Sequence, residues 1–528
     1  MKRNALTCLL LTLCLLFTAC GTAQTEQTAA PQTTLLSAES FSDRDYESGY
    51  DDTESAFITL SGDTASCSSD AVEVSAGTVT ICDEGTYVLS GTLNGMLIVN
   101  AEKGDKLQLV LNGVDIKSES SAAIYILQAD KVFITLPADT QNTLSNGGVF
   151  TAIDDNNIDA VIFSKEDLTL NGTGSLTVDA PAGHGIVSKD DLVITGGCYD
   201  ITAEKHGIAG KDSVSIAAGE FKITCGKDGI HAENKDDTAL GTMLLTGGSF
   251  TIAAGDDGLH AANLLEIDGG SILITESYEG IEGLAILITG GEISVVASDD
   301  GLNAAGGNDA SGFGNGGRDF FADSECSITI SGGTIFVNAS GDGIDSNGTL
   351  CVSGGSTYVS GPTDGGNGAL DYNTQAEISG GIFIAAGSSQ MAMNFTSATQ
   401  GAALVNVGKQ SAGSAVTLTG ANGETLLTFS PEKEYESVLL SCPALLQGES
   451  YSLTAGSHTS QLTFDDLLVG SGAMGGMPGG QGGRPGGGMP GGPGGETPAI
   501  PDGTGGEMPT IPDGSDSGGE GGRPGGRP

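Results

Sequence analysis

The sequence contains no tryptophan and few aromatic or basic residues. Of its 528 residues, 5% are aromatic, and 20 Lys and Arg face 67 Asp and Glu, which gives a formal charge of −47. Because affinity for phosphates comes from Lys and Arg, a chain this acidic repels nucleic acid and anionic membrane surfaces, and we expect no nucleic-acid partner. The scarcity of aromatic residues, together with 86 Gly, disfavours an ordinary helical or Rossmann-type enzyme and favours a chain of tight turns.

Paired cysteine motifs are also missing. Three of the ten Cys lie in the first 20 residues, and the other seven are widely scattered with no CxxC spacing. This spacing argues against a zinc motif, and the odd number argues against a disulfide framework, although an exported chain would permit one. We expect these seven side chains to act as small buried hydrophobic groups.

The N-terminus has the composition of an export signal. Lys2 and Arg3 precede an apolar run at 5–17 that is too short to span a membrane comfortably. A Thr-Ala-Cys sequence then ends at Cys20 and resembles the bacterial lipobox, with Phe17 in place of the usual Leu. We predict a lipoprotein-type signal peptide at 1–20 whose Cys20 is lipidated; an ordinary signal peptide cleaved nearby is the alternative.

The segments that flank the central region are polar or of low complexity. Residues 21–54 predict a polar tether, so the protein would be exported and held on the extracellular face of the cell membrane by its lipid alone. Residues 471–528 contain 24 Gly and 10 Pro among 58 residues, and this composition cannot bury enough apolar surface to fold. We predict a disordered tail there.

The middle of the chain repeats with a period of about 22 residues. Glycine pairs or their equivalents mark the period, and their second members are Gly174, Gly197, Gly219, Gly248, Gly270, Gly291, Gly333, Gly355 and Gly381. A second marker, an acidic or His residue followed by Gly and then Ile or Leu, begins at His184, His206, Asp228, Asp257, Glu279, Asp300 and Asp342. Short repeats with period-two alternation predict an all-β protein, namely a right-handed parallel β-helix at 55–413 with a small β cap at 414–470. A β-propeller would need about 40 residues per blade and is the weaker alternative.

The repeats align acidic residues in two rows. The first positions of the markers form one row, and the residues two positions after the marker glycine form the other, with His231, His260, Glu282, Asn303, Asp345 and Asp371. Carboxylates about 4.8 Å apart repel by roughly 3 to 4 kcal/mol at an effective dielectric near 20, so a cation would stabilise them. We therefore predict Ca²⁺ bound by residues drawn from Asp228, Asp256, Asp257, Glu279, Glu282, Asp299, Asp300, Asp342, Asp345 and Asp371.

Three further points qualify this calcium prediction. Backbone carbonyls beside the marker glycines are expected to be exposed as additional ligands. A solvated acidic face, or Asp-Gly turn chemistry alone, would explain the same pattern without a metal. His184 and His206 share the first row while His231 and His260 share the second; stacked or otherwise satisfied imidazoles are the favoured interpretation over zinc.

Several fragments resemble a known family. They are LVLNGVDI at 109–116, SAAIY at 121–125, KVFITL at 131–136, FSKEDL at 163–168, HGIVSK at 184–189 and DGIH at 228–231. With these fragments and the Gly-rich tail, about residues 55 to 465 resemble the clostridial surface carbohydrate-binding β-helix family. The resemblance implies a calcium-containing parallel β-helix, similar to pectate lyases, that binds polygalacturonate and cellulose. It places the calcium role on the Asp/Glu-Gly-Ile/Leu markers.

The expected function is non-catalytic carbohydrate binding by a monomer at the cell surface. An anionic protein needs a cation to hold an anionic sugar chain, and bound Ca²⁺ would supply it for an acidic or plant cell-wall polysaccharide. Neutral glucan binding usually relies on aromatic rings, for which the candidates in the repeats are Tyr125, Tyr199, Tyr278, Tyr358 and Tyr372.

Two other functions stay open, and we assign no catalytic residue. The first is a calcium-dependent polysaccharide lyase or another β-helix carbohydrate-active enzyme. Its base would come from Lys205, Lys211, Lys222, Lys227, Lys235 or Arg318, none of which lies in a diagnostic motif. The second is a structural adhesin or spacer without sugar specificity.

Overall fold

Strands dominate the structure, a computed structural model that describes Leu36, residues 40–305 and residues 326–470. The helix described in these ranges is a single 3₁₀ turn at Asp43–Tyr46, and every other regular element is a strand. The predicted signal peptide with Cys20, most of the tether, Arg318 and the Gly/Pro-rich tail lie outside the described residues. Among the helices of the described ranges, none has the length and apolar character needed to cross a membrane.

Thirty-nine strands join one large sheet that is mostly parallel. Through most of the repeats a strand pairs with the strand three positions later in the chain, so each repeat adds one strand to each of three parallel ladders. This confirms the prediction of an all-β chain with extensive parallel pairing. The ladders are called A, B and C below.

In the repeats that carry the marker glycines, the strands of ladder A follow or include those glycines. In order they are β4 (Thr78–Ile81), β6 (Met96–Asn100), β8 (Ile124–Gln128), β11 (Ala160–Ser164), β14 (His184–Ser188), β17 (Ile208–Gly210), β20 (Ile230–Ala232), β23 (Leu259–Ile267), β25 (Ile281–Ile288), β27 (Leu302–Ala304), β30 (Ile344–Ser346) and β33 (Asp371–Tyr372). These strands are short, and the first residue in most of them is a buried Ile or Leu.

The first strands of ladder B are longer than the later ones, and two of its strands also belong to ladder A. Its strands are β1 (Ala56–Gly62), β5 (Gly85–Asn94), β7 (Lys106–Ser118), β9 (Lys131–Leu136), β12 (Asp167–Gly172), β15 (Asp191–Ile194), β18 (Ser213–Ile216), β21 (Thr242–Leu245), the second halves of β23 and β25, β28 (Ser327–Ile330), β31 (Thr349–Val352), β34 (Gln375–Ile378) and β36 (Ser397–Ala398).

Ladder C begins on the second half of β7 and alternates buried and exposed side chains. Its further strands are β10 (Gln141–Asn146), β13 (Ser175–Ala180), β16 (Cys198–Ala203), β19 (Glu220–Cys225), β22 (Ser249–Ala254), β24 (Ser271–Glu276), β26 (Glu292–Ala297), β29 (Thr334–Ala339), β32 (Ser356–Ser360) and β35 (Ile382–Gly387). In register along this ladder, buried aliphatic and aromatic side chains stack on their equivalents, as in Tyr199, Phe221 and Phe250, whose rings are 4.9 and 4.7 Å apart. This continuous apolar row explains how a chain without tryptophan fills its core.

The remaining strands pair mainly antiparallel. In the large sheet these are β2 (Thr64–Cys67), β3 (Val72–Ser75), β37 (Ala402–Gln410) and β40 (Tyr435–Ser441), with β43 (Leu468–Val469) parallel to β37. A separate four-stranded antiparallel sheet consists of β38 (Val416–Thr419), β39 (Thr425–Phe429), β41 (Ser450–Ala455) and β42 (His458–Thr463). The seven Cys of the described residues form no disulfide.

The marker glycines are required by the close approach of successive repeats. A Cβ on Gly229 would lie 2.6 Å from the carbonyl oxygen of Gly258, and a Cβ on Gly280 would lie 2.4 Å from that of Gly301. Any larger residue at these positions would push the repeats apart and break the ladder pairing. The recurrence of glycine at the marker positions of this chain therefore has a steric cause, which is independent of the acids beside them.

Candidate functional site

Two rows of polar side chains meet beside ladder A, and we call them together the acidic column. Its members are His184, His206, Asp228, Asp257, Glu279, Asp300 and Asp342 from the first marker positions, and His231, His260, Glu282, Asn303, Asp345 and Asp371 from the strands. The second row is in strict register, with each residue pairing with its equivalent in the next repeat. The ladder therefore fixes their Cα atoms at the spacing of neighbouring strands.

The backbone around the column is already hydrogen-bonded. The carbonyl of each acid in the first row accepts from the marker glycine of the preceding repeat, as that of Asp257 does from the N–H of Gly229 at 2.9 Å. The carbonyls of Glu279, Asp300 and Asp342 accept in the same way from Gly258, Gly280 and Gly301. The carbonyls expected to be exposed beside these glycines are thus engaged in the sheet. Side-chain oxygens are the ligands that the column offers to a cation.

The first half of the column contains imidazoles, and we call it the histidine segment: His184, His206, Asp228, His231, Asp257 and His260. The four imidazole rings stack in one continuous series with centroid separations of 4.9, 4.2 and 4.9 Å. His231 Nδ1 lies 2.6 Å from Asp228 Oδ2, and His260 Nδ1 lies 3.1 Å from Asp257 Oδ2 and 2.8 Å from Glu282 Oε2. Each buried carboxylate of this segment therefore contacts at least one imidazole.

The pKa values of the histidine segment reflect these ion pairs. Burial opposes ionisation of Asp228, yet hydrogen bonds from His206 and His231 hold its pKa well below the ordinary value. Burial likewise disfavours a charged His260, but its hydrogen bonds to Asp257 and Glu282 raise its pKa well above the ordinary value. His206 behaves differently, because burial lowers its pKa to about 4 and keeps it neutral at physiological pH.

The second half of the column contains only oxygen ligands, and we call it the carboxylate segment: Glu279, Glu282, Asp300, Asn303, Asp342, Asp345 and Asp371. Carboxylate oxygens of Asp300, Asp342 and Asp345 lie within 4.8 Å of one another, and so do those of Asp257, Glu279 and Glu282. Among the residues that the structure describes, no Lys, Arg or His forms an ion pair with Glu279, Asp300 or Asp342.

The carboxylate segment is correspondingly hard to ionise. Burial, followed by the charge of Asp342, raises the pKa of Asp300 to about 9. Burial also raises the pKa of Asp342 to about 8, although the N–H of Gly368 donates to its carboxylate. The pKa of Glu279 lies well above its usual range because the side chain is buried beside Glu282. At neutral pH these groups hold protons or require a cation.

Two features of the carboxylate segment fit an oxygen-ligated cation. Asn303 is buried, and while its Nδ2 donates to Glu279 at 2.7 Å, its Oδ1 has no hydrogen-bond partner. A buried carbonyl oxygen without a donor is costly, and a cation would satisfy it. Gly341 provides the second feature, because a Cβ there would lie 2.3 Å from both Asp299 Oδ1 and Asp300 Oδ1. The two carboxylates therefore converge over a space that only glycine leaves open.

The other predicted ligands lie at the margin of the column. Asp256 forms an ion pair with Lys227 at 2.5 Å, which balances its charge. Asp299 accepts a hydrogen bond from the Tyr278 hydroxyl. Asp371 pairs in register with Asp345, and burial raises its pKa.

The sequence did not reveal that the four histidines form one series. His206 stands before a marker glycine and His231 stands two residues after one, so they belong to different rows, yet their rings stack. The His206 side chain comes from the turn before a strand and the His231 side chain from a strand, and the two rings nevertheless lie in one stack. Glu233, in the extra loop of its repeat, was also missed; its Oε2 lies 3.6 Å from His231 Nε2.

An aromatic groove lies on the exposed face of ladder C. The rings of Phe336 and Tyr358 stack at 5.0 Å, Phe429 packs beside Tyr358 at 5.6 Å, and the groove has a volume of about 240 Å³. Phe336 is 42% exposed. In contrast, Tyr199 is fully buried in the core and Tyr125 donates to Asp154, so neither presents a ring to solvent.

Comparison with known proteins finds similarity to a carbohydrate-binding family over part of the chain. Residues 75–317 match the family of carbohydrate-binding domain-containing proteins. A carbohydrate-binding domain-containing protein of Acetivibrio thermocellus is 40% identical over 137 residues, which are 25% of this chain and 48% of the relative. The chain thus matches about half the length of that relative. A solved polysaccharide lyase-like protein from C. thermocellum, as a gadolinium derivative, is 34% identical over 44% of this chain and 96% of its own, with a TM-score of 0.42.

The matched region divides the acidic column. It contains the whole histidine segment together with Glu279, Glu282, Asp300 and Asn303. Asp342, Asp345 and Asp371, as well as the aromatic groove, lie beyond residue 317. The match to the carbohydrate-binding family therefore covers the repeats that carry imidazoles and the first part of the carboxylate segment.

Proposed function

We propose that this protein is a non-catalytic carbohydrate-binding protein of the cell surface, built as a parallel β-helical solenoid, in which Ca²⁺ bound by the carboxylate segment helps to hold polysaccharide. The family match and the relative support carbohydrate binding. The three ladders, each gaining one strand per repeat, support the solenoid. We expect the protein to act as a monomer.

The carboxylate segment carries the calcium part of the proposal. Glu279, Asp300 and Asp342 have raised pKa values because they are buried beside other carboxylates. Ca²⁺ takes six to eight oxygen ligands in flexible geometry, and the segment offers carboxylates and the unpartnered Asn303 Oδ1. Bound Ca²⁺ would balance the carboxylates and present positive charge to an acidic sugar chain.

The contacts of the candidate bases support a binding function over a lyase. Lys211 pairs with Asp236 at 2.7 Å, and this contact raises the pKa of the lysine, which makes it a poor acceptor for a substrate proton. Lys205, Lys222, Lys227 and Lys235 also form ion pairs with carboxylates of the protein itself. None of these five ammonium groups is therefore set aside for a substrate.

One experiment separates binding from catalysis. The full chain is incubated with polygalacturonate in Ca²⁺ or in chelator, and both retention and the absorbance of unsaturated product are recorded. Calcium-dependent retention without product supports the proposal. Product formation would establish a lyase, and an absence of retention would favour a structural adhesin. Asp300→Asn with Asp342→Asn should lose retention, whereas Asp200→Asn, at an exposed site, should keep it.

We propose the aromatic groove as the second contact with sugar. Exposed rings pack against the apolar faces of pyranose units, and Asn338, Ser360 and Glu432 around the rings can exchange hydrogen bonds with hydroxyl groups. Phe336→Ala should weaken retention of the full chain on polysaccharide. Phe57→Ala is the matched control, since Phe57 is also exposed, at 46%, but lies on β1. Equal retention of both variants would remove the groove from the proposal.

Membrane anchoring through Cys20 is also part of the proposal. Cys20 lies outside the described residues, so the sequence pattern alone supports this step. Fractionation of cells that express the wild type or Cys20→Ser tests it. The wild type should partition with membranes and the variant should not; equal partitioning would contradict lipidation at Cys20.

A further inference from the structure

The histidine segment offers a ligand set that differs in kind from the rest of the column. His206, Asp228 and His231 each place one potential ligand atom within 4.8 Å of those of the other two, and Nδ1 of both imidazoles faces Asp228 Oδ2. Ca²⁺ is bound by oxygen, whereas imidazole nitrogen suits Zn²⁺ and neighbouring transition metals. Two His and one carboxylate form a known type of zinc ligand set with a position left for water.

We propose that His206, Asp228 and His231 form a binding site for a zinc-class divalent transition metal, separate from the calcium site proposed in the carboxylate segment.

The donor distances are close to those of a tetrahedral metal. With metal–ligand bonds of about 2.0 to 2.2 Å, two tetrahedral ligands stand about 3.3 Å apart. His206 Nδ1 is 3.2 Å from Asp228 Oδ2, which already fits. His231 Nδ1 is 2.6 Å from the same oxygen and must move outward by several tenths of an ångström when a metal replaces the proton between them.

His206 Nδ1 lies between two groups of Asp228, 3.1 Å from its backbone N and 3.2 Å from its Oδ2. An imidazole nitrogen has one lone pair, so a metal bound there would replace the contact with the backbone N–H. Nδ1 and Oδ2 would then be two ligands of one ion.

The surrounding residues hold the donors in place. Asp228 Oδ1 accepts from the N–H of Asp257 at 3.2 Å, which leaves Oδ2 for the imidazoles. Glu233 lies beside His231 Nε2, the position at which a carboxylate commonly orients a metal-bound imidazole. Glu233 begins the extra loop of its repeat. This insertion adds no strand to the ladders, but in the proposed site it supplies the carboxylate beside His231. The side chains of His206 and His231 are 14% and 10% exposed, which leaves a route for the ion.

Titration of the full chain with Co²⁺ alone tests this proposal. We expect one equivalent to bind with the visible absorption of a tetrahedral cobalt site, Zn²⁺ to displace it, and Ca²⁺ to leave it unchanged. A wild type without such absorption overturns the proposal, whatever the variants do. Absorption that Ca²⁺ abolishes also overturns it, because that result assigns the ion to the oxygen-ligated site.

Variants locate the ion. His206→Gln and His231→Gln should each lose at least tenfold in Co²⁺ affinity, while His458→Gln, remote from the column on β42, should bind as the wild type does. Asp300→Asn with Asp342→Asn should also keep Co²⁺, which separates this site from calcium. Melting in chelator checks that each variant is folded. Folded His206→Gln and His231→Gln proteins that retain wild-type affinity would overturn the proposal.

Discussion

The histidine segment and the carboxylate segment share one backbone and differ in what balances their charge. In both, an acid precedes a marker glycine whose neighbours in the next repeat leave no space for a side chain. In the histidine segment, imidazoles from the adjacent row contact the acids directly. In the carboxylate segment the adjacent row supplies Glu, Asn and Asp. Apart from the contact of Glu282 with His260, the described residues of these two rows therefore add oxygen and no positive charge there. The difference shows that equivalent positions along one ladder can be stabilised by an imidazole of the protein or can require a bound metal ion.

Removing the internal cation should produce the largest effect on stability. His260→Ala leaves Asp257 and Glu282 as buried carboxylates without their imidazole. Breaking a buried pair by deleting one partner costs about 3 to 5 kcal/mol, so we expect a loss of this size in the free energy of unfolding by denaturant.

A second substitution sharpens the test of His260. Glu282→Gln in the His260→Ala background should recover part of the loss, because it removes one of the two carboxyl groups left without the imidazole. His458→Ala controls for the loss of an imidazole outside the column. If His260→Ala cost less than about 1 kcal/mol, the imidazole would not be the cation that stabilises this segment.

Calcium should stabilise the protein through the carboxylate segment alone. At a concentration 100 times its dissociation constant, a ligand of the folded state adds about 2.7 kcal/mol. Asp300→Asn with Asp342→Asn should abolish this increment, measured as the calcium-induced rise in melting temperature. In chelator the same variant should be at least as stable as the wild type, since it removes carboxylates that repel each other. A calcium increment that survives the double substitution would place the ion elsewhere.

The pH dependence of stability should have opposite signs in the two segments. The pKa of Asp300 rises to about 9 on folding, so the folded state binds more protons between about pH 4 and 9. Its contribution is present at low pH and is lost as the pH rises, by at most about 1.4 kcal/mol per pH unit for one group. The folded pKa of Asp228 is lowered, so its contribution is present at neutral pH and is lost as the pH falls below the unfolded value near 4.

The melting temperature of the protein in chelator, measured as a function of pH, tests this pH dependence. Melting temperature in chelator should fall between pH 5 and 9, and Asp300→Asn with Asp342→Asn should flatten that slope. Saturating Ca²⁺ should flatten it too, because the ion replaces the protons. Asp228→Asn should lose stability mainly near neutral pH and little in acid, so its acid limb should be flatter than that of the wild type. An unchanged acid limb in that variant would contradict the ion pairs assigned to the histidine segment.

Sequence periodicity predicted which residues share a row, but it could not predict where their side chains meet. The register of Glu282, Asn303 and Asp345 follows directly from the repeat length, because parallel strands align equivalent positions. The stacking of His206 on His231 does not follow, because it depends on how the chain turns before the marker glycine. The pairing of Asp256 with Lys227 was hidden for the same reason, since both side chains leave the turn rather than the strand.

An exposed charge pair outside the column should have the smallest coupling energy of the contacts compared. Lys222 and Asp200 stand in register on the exposed face of ladder C, with Nζ 3.1 Å from Oδ2 and both side chains more than half exposed. Water screens this pair, so its coupling energy should be about 0.2 to 1 kcal/mol and should decrease with added salt. A double-mutant cycle with Lys222→Met and Asp200→Asn measures it. The cycle formed by His260→Ala and Glu282→Gln should give a larger coupling that salt hardly changes, because burial excludes the counterions. Equal couplings in the two cycles would mean that burial does not strengthen the contacts of the column, and the distinction between its two segments would lose its physical basis.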